Sequence, residues 1–377
     1  MMKTTGELTT SNRPFRLMLT GGGTGGHLFP AIAAAEELQK RVPEASVVFV
    51  GTRRKMERSS LERYGYAVTS IYSYGLKGKS AKELLKAVAV LPLSMVQAMV
   101  CILRFRPDVV LGVGGYVTGP VVAAARVLGR RTVIHEQNSI PGLANRKLGR
   151  LAGRVCISLP ESARYFPTEK TVLTGNPVRK PILELAEEPV REVSKSNMTL
   201  LILGGSQGAH RINELVVDAI CGGGVTGTIN VIHQSGTADY DMVKKRYEQN
   251  GISAEVQPFF QDMAAIYSKA DFLVSRAGAT TLAELAVLGK PAILVPYPHA
   301  ADNHQHKNAD YYVAGGGCLK FAEHDLTAAI LAEEIERLAG NEKKRAVMAR
   351  AMKKLAMPEA AARIVDECLE SWSVKQR

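Results

Sequence analysis

Acidic residues are in short supply: 36 Asp plus Glu stand against 48 Lys plus Arg, a formal net charge of +12 at neutral pH. That balance predicts an anionic partner, whether a phosphorylated metabolite, a phospholipid surface or a nucleic acid. Cysteine is scarce too. Cys101, Cys156, Cys221, Cys318 and Cys368 are odd in number and contain no Cys-x-x-Cys pair, so they are expected to be reduced, mostly buried residues of a cytoplasmic protein. Long apolar runs are missing. The most apolar helical stretch, VAVLPLSMVQAMVCIL (88–103), is shorter than a bilayer span and is interrupted by Pro92, Ser94 and Gln97, so no membrane crossing is expected. The first fourteen residues lack the apolar centre of a signal peptide and are expected to form a frayed tail.

What the chain does have is a globular composition, 46% hydrophobic and 22% charged with 34 glycines, over 377 residues, enough for about two domains of ordinary size. An internal repeat supports two domains. RLMLTGGGTGGH (16–27) is restated as TLLILGGSQGAH (199–210), each an apolar strand, a glycine loop and a histidine at a helix start. Strands alternate with helices in both halves, which predicts an α/β protein with two similar domains and a ligand crevice between them. Each strand-to-helix junction carries small or polar residues, including Gly114, Gly115, Tyr116 and Thr118, then Glu136, Gln137, Asn138 and Ser139. In open parallel sheets such junctions lie on one edge, where ligands bind. TVLTGNPVRKPI (171–182) reads as an extended connection, and two helices separated at Pro92 are expected between 80 and 106.

The stretch VSRAGATTLAELAVLGKPAILVPYPHAADNHQHKNA (274–309) concentrates the chemistry. A helix opening directly after a strand aims unpaired N–H groups and a positive dipole end into the crevice, which suits phosphate. Thr280 and Thr281 add hydroxyl donors, and Glu284 is able to accept two hydrogen bonds from a ribose diol. The same Thr281-x-x-Glu284 spacing is also a capping box, and both readings stand. Gly21, Gly23 and Gly26 match G-x-G-x-x-G, and Arg53-Arg54 after the second strand suits a 2′-phosphate, so an NADP oxidoreductase is a rival reading. Asp239-Tyr-Asp241 has a metal-holding spacing but sits in a helix first turn, where acidic residues suit the dipole. Lys77, Lys79, Lys82 and Lys86 beside Leu84, Leu85, Val88 and Leu91 make either a surface helix pair or a face for an anionic membrane.

Taken together, GGTGGH (22–27), GVGGYVTGP (112–120), HEQN (135–138), TGNPVR (174–179), GGSQGA (204–209), SRAGATTLAE (275–284) and DNHQHKNA (302–309) resemble the MurG glycosyltransferases of bacterial peptidoglycan synthesis. The resemblance covers essentially everything from Phe15 to the last helices. It implies the GT-B architecture, two Rossmann-like domains with parallel sheets facing an interdomain cleft. The implied boundaries are 15–178 for an acceptor and membrane-associating domain and 179–357 for a UDP-sugar domain, with a helix at about 358–377 packing back on the first. It further implies transfer of N-acetylglucosamine from UDP-N-acetylglucosamine to the C4 hydroxyl of the muramyl sugar of lipid I, with inversion, giving lipid II. No cofactor or metal and no nucleic acid is implied, and the place of action is peripheral, at the cytoplasmic face of the inner membrane.

Carried over by motif, the donor contacts are Thr24, Gly25, Gly26, Asn138, Arg179, Ser206, Phe260, the run Ala279, Thr280, Thr281, Leu282, Ala283 and Glu284, and Gln305. Gly115 and Tyr116 fall on the acceptor side. His27 falls there too and is the candidate general base, against the alternative that it only packs the loop. A helix N-terminus disfavours an imidazolium, which keeps such a histidine able to take a proton. Helix ends near Ser206 and Thr280, with Arg179, are expected to hold the charge of the leaving UDP in place of a metal.

Overall fold

The computed structural model describes residues 13–22, 25–52, 61–74, 81–188, 198–205, 208–225 and 229–373. Thr24, Ser206, Arg53, Arg54, Lys77 and Lys79 lie outside them, as do the side chains of Lys82 and Lys86.

Thirteen described strands build two all-parallel sheets. The first holds β1 (Arg16–Thr20), β2 (Ser46–Gly51), β3 (Ala67–Ser70), β4 (Val109–Gly112), β5 (Arg131–Glu136), β6 (Arg154–Ile157) and β7 (Thr171–Leu173), in the order 3-2-1-4-5-6-7. The second holds β8 (Met198–Leu203), β9 (Ile229–Gln234), β10 (Ala254–Gln257), β11 (Phe272–Ser275), β12 (Ala292–Leu294) and β13 (Cys318–Lys320), in the order 10-9-8-11-12-13. Counting from β1 and from β8, both sheets run 3-2-1-4-5-6, so the repeat seen in the glycine loops extends to topology. Each sheet reverses strand order beside its first strand, between β1 and β4 and between β8 and β11, which is where ligands enter such folds.

The central strands are buried because helices cover both faces: all six residues of β8, MTLLIL, are buried. The covering helices are α1 (Gly25–Arg41), α2 (Ala81–Phe105), α3 (Thr118–Val127) and α4 (Leu143–Leu148) in the first half. The second half has α5 (Lys180–Glu187), α6 (His210–Cys221), α7 (Tyr240–Gln249), α8 (Met263–Lys269), α9 (Ala279–Leu288), α10 (His304–Ala314), α11 (Ala328–Gly340) and α12 (Glu342–Lys354). The last helix, α13 (Ala360–Ser373), returns to the first sheet. Its Ile364, Val365 and Cys368 sit in one core with Phe15, Leu17 and Leu38, and Trp372 meets Phe15 edge-on at 5.2 Å. Burying Ile364 and Val365 is worth about 1.5–3 kcal/mol each, which fixes the helix there.

Three strands escape the sequence reading, β3, β7 and β13, all at sheet edges and only three or four residues long. TVL at 171–173 is thus β7, paired with β6, and not plain connection. The helix pair expected around Pro92 is one helix, α2, with Pro92 inside it. Proline removes one backbone bond there, and past it Ala98 and Ile102 bury fully in the core shared with Val121 and Ala125 of α3 and anchor the second half of the helix.

Candidate active site

A cleft of about 1660 Å³ separates the carboxyl edges of the two sheets. Single small-molecule pockets run to roughly 300–1,000 Å³, so this one has room for two substrates side by side. The N-termini of α1 and α9 meet across its floor, where the Thr280 hydroxyl donates to the Gly26 carbonyl at 3.1 Å. Asn308 of α10 ties the domains a second time. Its Oδ1 accepts from the Ser139 N–H at 2.9 Å, and its Nδ2 donates to Asn138 Oδ1 at 3.1 Å.

On the β1 side two loops nest against each other. Gly115, at φ +87°, lies so close to the Gly22 carbonyl that a Cβ would stand 2.2 Å from its oxygen. Gly114, at φ +101°, lies against the imidazole of His27, whose Cε1 would be 2.8 Å from a Cβ there. The glycines of 112–120 therefore admit both the first loop and the histidine. His27 lines the cleft in the first turn of α1, with Nδ1 3.1 Å from Gln137 Oε1. Tyr116 stands half exposed at the cleft wall beside Gly115.

Behind this wall the Glu136 carboxylate is buried, yet every lone-pair direction is used. Oε1 accepts from the Asn138 N–H at 2.9 Å and its Nδ2 at 3.2 Å, and Oε2 from Asn145 Nδ2 at 2.9 Å and the Gly142 N–H at 3.2 Å. Burial raises its pKa; the donated bonds, led by that from the Asn138 backbone, oppose the rise. Glu136 thereby shapes the 137–145 loop.

On the β11 side Glu284 is 2% exposed and lies in the cleft wall. Its Oε1 accepts from Arg179 Nε and Nη2, both at 2.8 Å, and its Oε2 from the Tyr267 hydroxyl at 3.0 Å. Burial pushes the Glu284 carboxyl up, with Arg179 pulling it down. For Arg179 burial is the largest influence and acts downward, but the Glu284 charge, Tyr267 and the hydrogen bond to Glu284 together outweigh it and the net direction is up. The guanidinium also stacks on Phe29 at 4.5 Å, reaching helix α1 of the other domain. Helix α9 begins after Gly278 with no side-chain cap, so Thr281 and Glu284 do not form a capping box. Glu284 is instead a buried interior residue with one face to the cleft.

Gly26, His27, Gly115, Tyr116, Asn138, Arg179, Ala279, Thr280, Thr281, Glu284 and Gln305 therefore converge on one cleft. Gln305 also braces the rim by accepting from the Tyr297 N–H at 2.9 Å. Three carried-over residues fall elsewhere. Leu282 is fully buried in the core, and Ala283 lines a separate small cavity behind the cleft, because successive helical residues cannot all face one side. The Phe260 ring is also in that core and its N–H donates to Gln234 Oε1 at 3.1 Å; its exposed neighbour Phe259 lines the cleft instead. Gly25 begins α1, next to the cleft-lining Gly26.

Outside the cleft, the Asp239 carboxylate accepts from Asn213 Nδ2 at 2.7 Å and faces His210 Nδ1 at 2.9 Å. Asp239 is thus a hydrogen-bond hub at the start of α7, and His210, two-thirds exposed, is held by it and by Glu214. No group of three potential metal-ligating side chains occurs among the described residues. Sequence reasoning missed Tyr267 and Phe29, which carry no motif of their own, and gave no role to Asn308, although it lies in DNHQHKNA.

Residues 17–157 match the glycosyltransferase family 28 N-terminal domain and residues 199–364 its C-terminal domain. A relative from Desulfotalea psychrophila, named as UDP-N-acetylglucosamine–N-acetylmuramyl-(pentapeptide) pyrophosphoryl-undecaprenol N-acetylglucosamine transferase, is 59% identical over 94% of this chain and 96% of its own. The chain belongs to glycosyltransferase family 28, among the MurG enzymes. A relative of the same description from Geotalea daltonii is 46% identical over 93% of this chain and 96% of its own. The crystal structure of Acinetobacter baumannii MurG superposes with a TM-score of 0.75 at 32% identity, covering 95% of this chain and all of that one. The family's GT-B fold is thus the fold found here. At 14% identity and a TM-score of 0.67, a UDP-N-acetylglucosamine 2-epimerase structure shares the fold alone.

Proposed function

We infer that this enzyme transfers N-acetylglucosamine from UDP-N-acetylglucosamine to lipid I, forming lipid II. The observation that carries the reading is the meeting of two Rossmann switch points across one cleft, with His27 on one wall and the Arg179–Glu284 pair on the other. Residues 15–178 serve as the acceptor and membrane-facing domain and 179–357 as the donor domain, with the segment 358–377 completing the first. Glu284 takes a ribose hydroxyl with the one acceptor direction that Arg179 and Tyr267 leave on Oε2, and the N-terminal N–H groups of α9 take the diphosphate. Because Glu284 neutralises Arg179, the helix end carries more of the phosphate charge than the guanidinium does.

The reaction is a single displacement with inversion. His27 removes the proton from the acceptor's C4 hydroxyl as its oxygen bonds to the anomeric carbon, and the bond from that carbon to the UDP oxygen breaks with its electron pair leaving on UDP. The acceptor stays in the bilayer, so the enzyme works peripherally at the cytoplasmic face of the inner membrane. No described helix is long and apolar enough to cross one. The apolar side chains Leu93, Val96, Val100 and Leu103 are 40–56% exposed along one face of α2, the fitting surface for such contact.

The test uses a short-chain, water-soluble lipid I analogue. Release of one UDP per disaccharide, with the new linkage β by proton NMR from an α-linked donor, is the expected result; a product of retained configuration would overturn the displacement. Calorimetry should show UDP binding and NADPH failing to bind, and the reverse would favour the oxidoreductase.

A further inference from the structure

We propose that Gln137 is a positioning residue that fixes the tautomer of His27, holding the proton on Nδ1 and the lone pair on Nε2. The inference follows from a chain of hydrogen bonds whose directions are set at both ends by carbonyl oxygens, which only accept.

The chain begins at Gly175. Its carbonyl, which only accepts, lies 3.0 Å from His135 Nε2, so that nitrogen carries a hydrogen, and the Ser158 hydroxyl oxygen, also at 3.0 Å, accepts alongside it. His135 is fully buried, and burial lowers its pKa to about 4, so the ring is neutral and its Nδ1 has a lone pair. The group 3.1 Å from that lone pair is Gln137 Nε2, which must donate. The same Nε2 donates its second hydrogen to the Val113 carbonyl at 2.8 Å. Turning the amide over would set its oxygen against both the Val113 oxygen and the His135 lone pair, so its orientation is fixed.

Gln137 Oε1 is therefore the atom presented to His27 Nδ1, at 3.1 Å. An amide oxygen has no hydrogen to give, so Nδ1 must be the protonated nitrogen. In a neutral imidazole the lone pair then resides on Nε2, on the other side of the ring. A general base in the cleft needs that arrangement, because the opposite tautomer would turn an N–H, and not a lone pair, toward the hydroxyl. An amide achieves this without a second negative charge at the acceptor side. Gln137 is itself 2% exposed, and its amide is taken up by Val113, His135 and His27. The consequence for rate rests on the reading of His27 as base; the tautomer does not.

The test therefore has two parts. In protein labelled with ¹⁵N-histidine at neutral pH, His27 is expected to show a protonated Nδ1 and an unprotonated Nε2. Gln137→Met, of similar length but without hydrogen bonds, should shift His27 toward a mixture of tautomers. With the variant, kcat should fall roughly 10-fold or more, bounded by the loss on removing the base itself, while the KM for UDP-N-acetylglucosamine changes less than about 2-fold. A protonated Nε2 in the unaltered protein overturns the proposal whether or not any variant folds. An unchanged His27 signal in folded Gln137→Met also overturns it. If instead the tautomer shifts as expected while His27→Ala retains full kcat, the base assignment fails and the positioning role stands.

Discussion

Arg179 and Glu284 face each other across the junction of α5 and α9, with two guanidinium nitrogens on one carboxylate oxygen and Tyr267 on the other. Burial on this scale makes the carboxylate responsible for neutralising Arg179, and the proposed function adds the task of receiving the ribose. Glu284→Gln should weaken UDP binding by about 1.5–3 kcal/mol, as for a hydrogen bond to a charged group. It should also lower the melting temperature, since leaving a buried charge without its counter-ion costs on the order of 3–5 kcal/mol. Calorimetry with UDP and 2′-deoxy-UDP separates the two: the natural protein should discriminate between them and the variant should not. Undiminished UDP affinity beside a lower melting temperature would leave Glu284 with the structural task alone.

His27 and His210 occupy equivalent places in the sequence repeat but different surroundings. His27 lines the cleft against Gln137, while His210 is exposed and bound to Asp239 and Glu214. His27→Ala should lower kcat by about 10²–10⁴-fold with UDP affinity nearly kept, the usual span for losing a general base. His210→Ala should cost far less. Similar turnover in the two variants would send the search for the base elsewhere in the cleft.

Membrane attachment should depend on the exposed face of α2. Replacing Leu93, Val96 and Leu103 with Glu should release the protein from vesicles containing anionic lipid, and turnover of a water-soluble acceptor should persist. Changing Lys77, Lys79, Lys82 and Lys86 to Glu should weaken the same binding by several kcal/mol, on the order of 1 per lysine. Sedimentation with vesicles is the measurement, and unaltered binding in both variants would remove this surface from consideration.

Two buried neutral histidines should make the fold acid-sensitive. Burial lowers His135 to about 4 and His233 to about 3, from 6.5. A lowered pKa means the unfolded chain binds the proton first, so stability is full above about pH 6.5 and is lost as pH falls toward 4. At roughly 1.36 kcal/mol per unit, each contributes about 3 kcal/mol over that range. Urea unfolding at pH 7 and pH 4.5 checks this. His233→Gln should be less stable at pH 7 yet show a flatter pH dependence; an equal slope would shift the effect to the carboxylates.

Much of this architecture is legible because central parallel strands are continuous apolar runs and glycine loops announce where they end. RLMLTGGGTGGH and TLLILGGSQGAH mark the first strand of each sheet without any structure. The edges are harder: AVTS, TVL and CLK pair on one side only, and three or four half-buried residues make no periodic signal. Motif transfer found the cleft but not its facing. Leu282 and Ala283 share a motif with Glu284 while turning to the core and to the cavity behind. Thr281 and Glu284 read equally well as a cap until Gly278 is seen to begin the helix. Tyr267 lies in an ordinary amphipathic helix, and nothing local distinguishes a tyrosine that ends on a carboxylate from one that packs.

The return of α13 to the first domain means that the chain crosses between the two halves twice, and the crossings touch at Gly175, where a Cβ would stand 2.6 Å from Met357 Cβ. Two side-by-side tethers behave as a pivot, so displacement during any opening grows with distance from it. The Thr280–Gly26 contact, made by the helix ends across the cleft, is the kind that separates. The Gly175 carbonyl, by contrast, belongs to the pivot, and it starts the relay through His135 and Gln137 to His27. The proton position on His27 is thereby referenced to the crossing between the two halves, and it should persist through the opening and closing of each turnover.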